Sequence, residues 1–505
     1  MKKFTITVIS LFMVLLISLS AISEAIGTNS KYASNQDYIQ SENLALKDKS
    51  NKMTDGKDGT VYRFKTRNGG KSVIDLGESC DFNSVILKEK GLNVQKFIIS
   101  VSDNNESFTQ IYANDKIEFH RLCTFDTVKA RYVKLTVEKS DNLPKIREME
   151  IYNATPEKKS NFRVATYGTL GDSEYGVVGN SIYGIIKNDT LSDEEKNVKI
   201  KKLIDSGYYD TVTDYIQIGS VIWEEDGSVK MRCNDGSEDI ENKYFAVMIK
   251  NLHEVLDEKG VNLIITILNP SGENGNARVM KSITENRDTL ITNMIAFANK
   301  YEFDGIDLDW EFPMSQDEFD AYNSFLQELK ARMKTEMWNK EDATLSLALA
   351  TWALKYTPET IECIDYVNVM GYDILDQDGQ HSSFFSSCVQ AADYIESQGF
   401  SKEQINIGFP FYGTWEGGRM EQYAYNAISE EISPFNNFYT MKKSDTQEDR
   451  YTYFNSQAII RDKTAYAYLK GYGGVMIFSQ YCDLPSDDER SLTKAISYYL
   501  QEVTK

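Results

Sequence analysis

The stretch Phe303–Pro313, FDGIDLDWEFP, decides how the rest of the chain is to be read. As an extended strand it would send Asp307, Asp309 and Glu311 to one face and Ile306, Leu308 and Trp310 to the other. Gly305 and the flanking apolar residues favour a buried strand over a solvated acidic edge or an aspartate-built divalent-ion site. In a parallel barrel the outward set packs under helices, so three acids would line up where branched apolar side chains normally sit. Burial and mutual repulsion both disfavour ionisation, so at least one carboxyl of the row is expected to stay protonated near neutral pH and to act as a proton donor.

Working outward, the second half of the chain alternates short apolar runs with helical stretches. The runs are Val164–Tyr167, Tyr215–Ile218, Leu263–Ile267, Asp304–Asp309, Leu345–Ala350, Tyr366–Met370, Ile405–Phe409 and Gly474–Ile477. Eight such strands across residues 160–505 predict an α/β fold, a (β/α)8 TIM barrel with its chemistry at the carboxyl ends of the strands. Four of the five tryptophans, Trp223, Trp310, Trp352 and Trp415, fall at or just beyond those ends. Their recurrence there suggests an aromatic cleft able to hold sugar rings by their apolar faces, although any one of them could equally be a packing residue.

Upstream the pattern is different. Ser72–Leu76, Ser84–Leu87, Phe97–Val101, Arg131–Val137 and Met149–Tyr152 are short β-rich runs separated by turn-forming clusters, which predicts an all-β sandwich over residues 48–154. Residues 26–47 are polar and read as a linker. Residues 1–25 have the charged, apolar and small-residue sections of a secretory signal peptide, with the mature chain beginning near Ile26. A secreted, extracellular protein with no stable membrane insertion after cleavage is the expectation. The six cysteines are spaced too widely to read as a disulfide framework, though a Cys80–Cys123 pair is left open.

The motif DGIDLDWE resembles the DxxDxDxE signature of family 18 glycoside hydrolases, and is most similar to chitinases. That resemblance implies that Glu311 is the general acid, with Asp309 beside it and Asp307 and Asp304 supporting the pair from behind. Tyr366–Asp373, YVNVMGYD, resembles the family's MxYD segment, which implies that Tyr372 and Asp373 hold the N-acetyl group of a substrate while Met370 lines the subsite. Ile407–Gly413 resembles the GxPxYG segment and implies Tyr412 at the cleft. The third strand lacks the family's SxGG pattern, and Phe478 stands where chitinases usually carry a tryptophan that floors the central subsite. The interval Gly413–Tyr453 is short for the α+β insertion that walls many chitinase clefts, so an open groove and endo-type cleavage are expected.

The N-terminal runs SVIDLG, VSDNNESF, ARYVKLTV and IREMEIYN resemble a discoidin, or coagulation-factor C-type, domain, often attached to secreted glycosidases as a carbohydrate-binding module. The resemblance implies a structural calcium held by Asp55, Asp58 and Thr60 with Glu148; loops of Asp and Gly are also ordinary turns, so both readings stand.

A net charge of -21, from 55 basic and 76 acidic residues, argues against nucleic acid as a partner and against anionic lipid. Three histidines in no ligand-spaced cluster leave little for zinc or triad chemistry. Family 18 enzymes are among the exceptions to the two-carboxylate scheme, with the substrate's own 2-acetamido oxygen attacking the anomeric carbon, so catalysis needs no cofactor. The expected activity is endo-acting, retaining hydrolysis of β-1,4-linked N-acetylglucosamine in a polysaccharide or glycoprotein glycan. The alternatives are an endo-β-N-acetylglucosaminidase acting on the chitobiose core of N-glycans and a non-catalytic lectin, which Glu311 disfavours.

Overall fold

A computed structural model of the 505-residue chain describes residues 38–48, 50–57, 59–169, 185, 188, 190–205, 210–231, 238–270, 272, 274–374, 383–415, 418–427, 433–442, 448–485 and 487–503, with some side chains within these ranges not described. The chain divides into two compact units, 1–40 and 41–505. The expected signal peptide lies outside the described residues, and the second unit holds both an antiparallel sheet and a barrel. Among the described residues no helix is long and apolar enough to cross a membrane.

The first part of the second unit is a six-stranded antiparallel sheet made of β1 (Tyr62–Arg63), β2 (Gly70–Glu89), β3 (Val94–Ser102), β4 (Thr109–Asn114), β5 (Arg121–Ser140) and β6 (Lys145–Tyr152), in the order β1-β6-β2-β5-β3-β4. Two of the short runs read from sequence, Ser72–Leu76 and Ser84–Leu87, belong to one 20-residue strand, β2. Its register with β5 breaks between Asp75 and Cys80 and again between Phe82 and Ser84. Such breaks bend a strand and add twist, so both long strands serve two regions of the sheet. β6 joins the later half of β2, and β3 joins the later half of β5. The alternating inward residues Ile74, Leu76, Val85, Leu87, Val133, Leu135 and Val137 share one core. Cys80 and Cys123 are both free thiols.

The second part is a closed parallel barrel. Its strands are β7 (Arg163–Thr169), β8 (Asp214–Trp223), β10 (Asn262–Leu268), β11 (Gly305–Asp309), β12 (Thr344–Leu349), β13 (Tyr366–Val369), β14 (Ile405–Pro410) and β19 (Gly474–Phe478), and pairing of β10 with β8 closes the ring. β9 (Val229–Met231) is a hairpin partner of β8 outside it. The connecting helices are α1 (Asp193–Asp205), α2 (Glu238–Lys259), α3 (Gly275–Thr284), α4 (Arg287–Lys300), α5 (Gln316–Glu336), α6 (Pro358–Cys363), α7 (Phe385–Ser397), α8 (Gln457–Lys470) and α9 (Leu492–Val503). Local sequence starts several of them. Ser315 and Glu318 form a capping box for α5, Thr357 with Pro358 opens α6, and Ser456 caps α8, which ends at Gly471 in the left-handed region with φ 94°.

The interval after β14 holds more structure than its length suggested. β15 (Tyr412–Trp415), β16 (Gly418–Ala424), β17 (Phe438–Lys442) and β18 (Asp449–Tyr453) make a four-stranded antiparallel sheet in the order β16-β15-β18-β17. A hairpin needs only a few residues to reverse, so so short an interval suffices for four short strands.

The two parts are joined through α8. Asp462 is fully buried and accepts from the Thr124 backbone N–H at 2.8 Å, the Thr124 hydroxyl at 2.9 Å, the Tyr112 hydroxyl at 2.5 Å and the Arg121 guanidinium at 3.1 Å. Ala458, one helical turn earlier, joins the core of the β-rich part.

Gly305 opens β11 opposite Thr344, and a Cβ there would lie 2.4 Å from the Thr344 carbonyl oxygen. That atom is backbone and cannot swing aside. Gly305→Ala is therefore expected to cost about 2 kcal/mol, the usual scale of overpacking, seen as a lower urea midpoint with an unchanged slope. An unchanged midpoint would show that β11 and β12 can separate freely.

Candidate active site

The alternation predicted for β11 is present: Ile306 and Leu308 are fully buried, and Asp307, Asp309 and Glu311 follow one another toward the carboxyl end of the strand. Asp307 is at the bottom of the row and completely enclosed. Its Oδ1 accepts from Ser346 on β12 at 2.6 Å, and its Oδ2 accepts from Thr266 on β10 at 2.7 Å and from the Tyr167 hydroxyl on β7 at 3.1 Å. Burial pushes its pKa up to about 6, and those three donors hold it from rising further. Tyr167 also accepts from Asn368 on β13 at 3.1 Å, and Asn368 accepts from Asn406 on β14 at 3.1 Å. Five strands besides β11 thus contribute polar side chains to one buried network.

Asp309 lies above it. Burial raises its pKa well above the usual range, and the charges of Glu311 and Asp307 push the same way. Its Oδ1 is buried with no hydrogen-bond partner. Glu311, at the mouth, is open to solvent, yet enough of the pocket surrounds it that desolvation, then the charge of Asp373, raises its pKa too. A saturated acid, an acid with a buried, unpartnered oxygen and an accessible acid form the row. The negative charge of Glu311 disfavours ionisation of Asp309, so the two acids resist being charged together.

Facing them are the ends of β13, β14 and β19. Tyr372 stacks on Phe478 with ring centroids 5.8 Å apart and planes 26° apart, and meets Tyr412 edge-on at 6.2 Å. Phe478 also touches Tyr167 at 5.8 Å and Tyr412 at 6.4 Å, so the ring that replaces the expected tryptophan is wedged among three tyrosines. Tyr412 donates to Asp373 at 2.9 Å. Met370 is half-buried immediately after β13, and Trp352 packs edge-on against Phe312 at 4.9 Å, next to Glu311 in the chain. The peptide bonds after Glu311 and after Phe478 are cis.

Two residues are placed elsewhere. Asp304 sits at the amino end of the strand, where its Oδ2 accepts from the Leu263 N–H at 2.8 Å and its backbone binds Thr344. It fastens the bottom of the barrel, away from any substrate. Trp223 is fully buried and donates its indole N–H to Ser282 of α3 at 2.9 Å. It is a packing residue, because its side chain turns outward from β8 and not toward the axis. The Trp415 side chain lies outside the described residues. Tyr167, Thr266, Ser346 and Asn368 escaped the sequence reading, though Thr266 and Ser346 each interrupt an apolar run, in LIITIL and LSLAL.

In the β-rich part, Asp55 accepts from the Thr60 hydroxyl at 2.8 Å and the Lys57 N–H at 3.0 Å, while Glu148 Oε1 accepts from the Lys57 N–H at 2.8 Å. Glu148 Oε2 is buried without a partner, and burial first, then Asp55, pushes this carboxyl up to about 7. Asp58 lies outside the described residues. Among the described residues no cluster of three or more histidine, cysteine or acidic side chains is arranged to hold a metal.

Residues 258–483 match the family model Glycosyl hydrolases family 18, and residues 31–149 match the model F5/8 type C domain. The barrel is thus a family 18 glycosyl hydrolase domain, and the sheet before it an F5/8 type C domain. Among curated proteins the chain is 24% identical over 251 residues to a probable endochitinase of Caenorhabditis elegans, covering 40% of each. It is 27% identical over 269 residues to Chitinase A1 of Niallia circulans, covering 41% of this chain and 38% of that one. The chain spans less than half the length of either. The Group IV chitinase of Ostrinia furnacalis, solved with allosamidin, shares the fold at TM-score 0.50 and 18% identity, over 68% of this chain and 99% of that one.

Burial also raises Glu89 to about 7. Asp307, Glu89 and Glu148 bind their protons more tightly folded than unfolded, so their contribution is present below about pH 4, near the unfolded carboxyl values, and is lost as pH rises to about 7. The melting temperature in metal-free buffer should therefore fall between pH 4.5 and 7 and then level off. A rising profile there would mean these groups are already ionised at low pH.

Proposed function

We propose that this protein hydrolyses β-1,4-linked N-acetylglucosamine with retention, by participation of the substrate's acetamido group. The observation that carries the reading is the unpartnered, buried Oδ1 of Asp309 beside the solvent-accessible Glu311. Asp307 has all its close donors engaged and remains fixed. An acetamido N–H directed at Asp309 would satisfy the orphan oxygen and turn the carbonyl oxygen toward the anomeric carbon. Glu311 then gives its proton to the departing glycosidic oxygen. The Tyr372 hydroxyl, whose pKa burial and the nearby acids hold well above 10, stays protonated and can donate to the acetamido carbonyl. Negative charge on Asp309 offsets the positive charge that develops on the cyclic oxazolinium intermediate. Glu311 next takes a proton from water, which opens the ring on the face the leaving group left. The likeness to chitinases favours a chitin-like polymer as substrate.

Chitin oligomers, a high-mannose glycoprotein and a biantennary glycoprotein should be assayed together, with Glu311→Gln as control. The expected result is N-acetylglucosamine oligomers released from the first substrate alone, with a loss of at least about 100-fold in kcat for the variant, the scale of a lost general acid. Glycoprotein deglycosylation would move the assignment to an endo-β-N-acetylglucosaminidase. Binding without turnover would make the barrel a lectin.

We further propose a calcium ion held by Asp55 and Glu148 of the F5/8 type C domain, a reading supported by the unpartnered, buried Glu148 Oε2. Adding calcium to metal-free protein should raise the melting temperature, and Glu148→Gln should abolish the rise. A melting curve indifferent to calcium removes the site.

A further inference from the structure

Helix α7 follows the loop that carries Tyr372 and Asp373, and it begins without a cap of its own. Its N-cap residue is Phe384, which offers no side-chain hydrogen bond. Position and chemistry for that role come from the other domain: Glu118, buried between β4 and β5, accepts from the Ser386 backbone N–H at 2.6 Å. A carboxylate on a first-turn N–H satisfies an orphan donor and meets the positive end of the helix dipole. Arg121, wholly buried, lies over the Phe385 ring at 5.2 Å, pairs with Glu118 at 3.7 Å and bonds Asp462 of α8 at 3.1 Å. The first turn of α7 is therefore seated on residues 118–121 of the F5/8 type C domain.

The connection continues into the site. Ser383, just before that turn, donates its hydroxyl to the Gly371 carbonyl at 3.0 Å and its backbone N–H to the Ile374 carbonyl at 3.3 Å, bracketing Tyr372 and Asp373. Lys463, next to Asp462 and fully buried, donates to the Ser383 carbonyl at 2.6 Å and to Asn455 Oδ1 at 2.6 Å. So the same two adjacent residues of α8 hold the F5/8 type C domain through Asp462 and the loop-closing serine through Lys463.

We propose that the F5/8 type C domain is a working part of the hydrolase, with Glu118 as the positioning residue that supplies α7 with its missing cap and so holds the Gly371–Asp373 loop. The inference rests on the proposed hydrolysis for its consequence in rate. Its structural half stands apart from it. Glu118 touches no substrate; it acts through Ser386, Ser383 and Tyr372.

The test uses the full chain carrying Glu118→Ala and Glu118→Gln, each first shown to be folded by its melting curve. Hydrogen exchange is followed at 366–374, with the amides of β12 as an internal reference. Glu118→Ala should exchange roughly five- to tenfold faster at 370–374, the factor that losing one helix cap corresponds to, while β12 is unchanged. Glu118→Gln retains an acceptor oxygen and should restore most of the protection. On chitin oligomers Glu118→Ala should lower kcat by a similar factor at nearly constant KM, since Tyr372 is held for the reacting geometry, and Glu118→Gln should recover it. Unchanged exchange at 370–374 in folded Glu118→Ala overturns the proposal, as does a glutamine variant no better than alanine. Should the parent hydrolyse nothing, the functional reading fails, and exchange still decides the coupling.

Discussion

The structure depends on keeping carboxylates where a barrel ordinarily keeps leucine and valine. A lone charge sunk at the Asp307 position would be prohibitive without partners. The fold answers by sending a hydroxyl from each of β7, β10 and β12 to that one side chain. Those donors exist only when the ring is closed and in register. The acid row is therefore both the chemistry and a check on assembly: a register slip of one residue would turn Asp307 and Asp309 into the helix layer. The graded environment along the row follows. Enclosure is complete at Asp307, one oxygen remains unmatched at Asp309, and Glu311 reaches solvent.

Much of this was legible in the chain. All eight barrel strands were readable because parallel strands covered on both faces are short, nearly continuous apolar runs. The acid row was readable because its spacing of two is the period of a strand. What was not legible came from directions that sequence does not carry. Trp223 lies at the end of its strand, but its ring faces α3, and Asp304 sits at the opposite end of β11 from the mouth. The donors to Asp307 are separated from it by as many as 140 residues and belong to ordinary-looking strands. In LIITIL and LSLAL, however, a single hydroxyl interrupts an otherwise apolar run, and that interruption is a usable signal. The two halves of β2 read as separate strands because the residues at the register breaks are polar and turn-like.

The domain interface was hidden for a different reason. Asp462 and Lys463 lie on a helix, where adjacent charges normally mean solvent, and nothing in their spacing distinguishes them from a surface pair. Both are wholly buried, each matched to a different side of the molecule. Phe478 is a departure of another kind. A phenyl ring is smaller than an indole, and here it is packed among the rings of Tyr167, Tyr372 and Tyr412.

The buried charges of α8 also bear on how such a chain can be divided. Modules strung on flexible joints can be exchanged or shed, because each keeps its own surface wet. Here separation would strip Asp462 of all four donors and expose the apolar side of Ala458 at the same stroke. Cutting the chain between the two folds would leave a barrel with an unmatched anion on its flank, so neither fold can be removed without cost to the other.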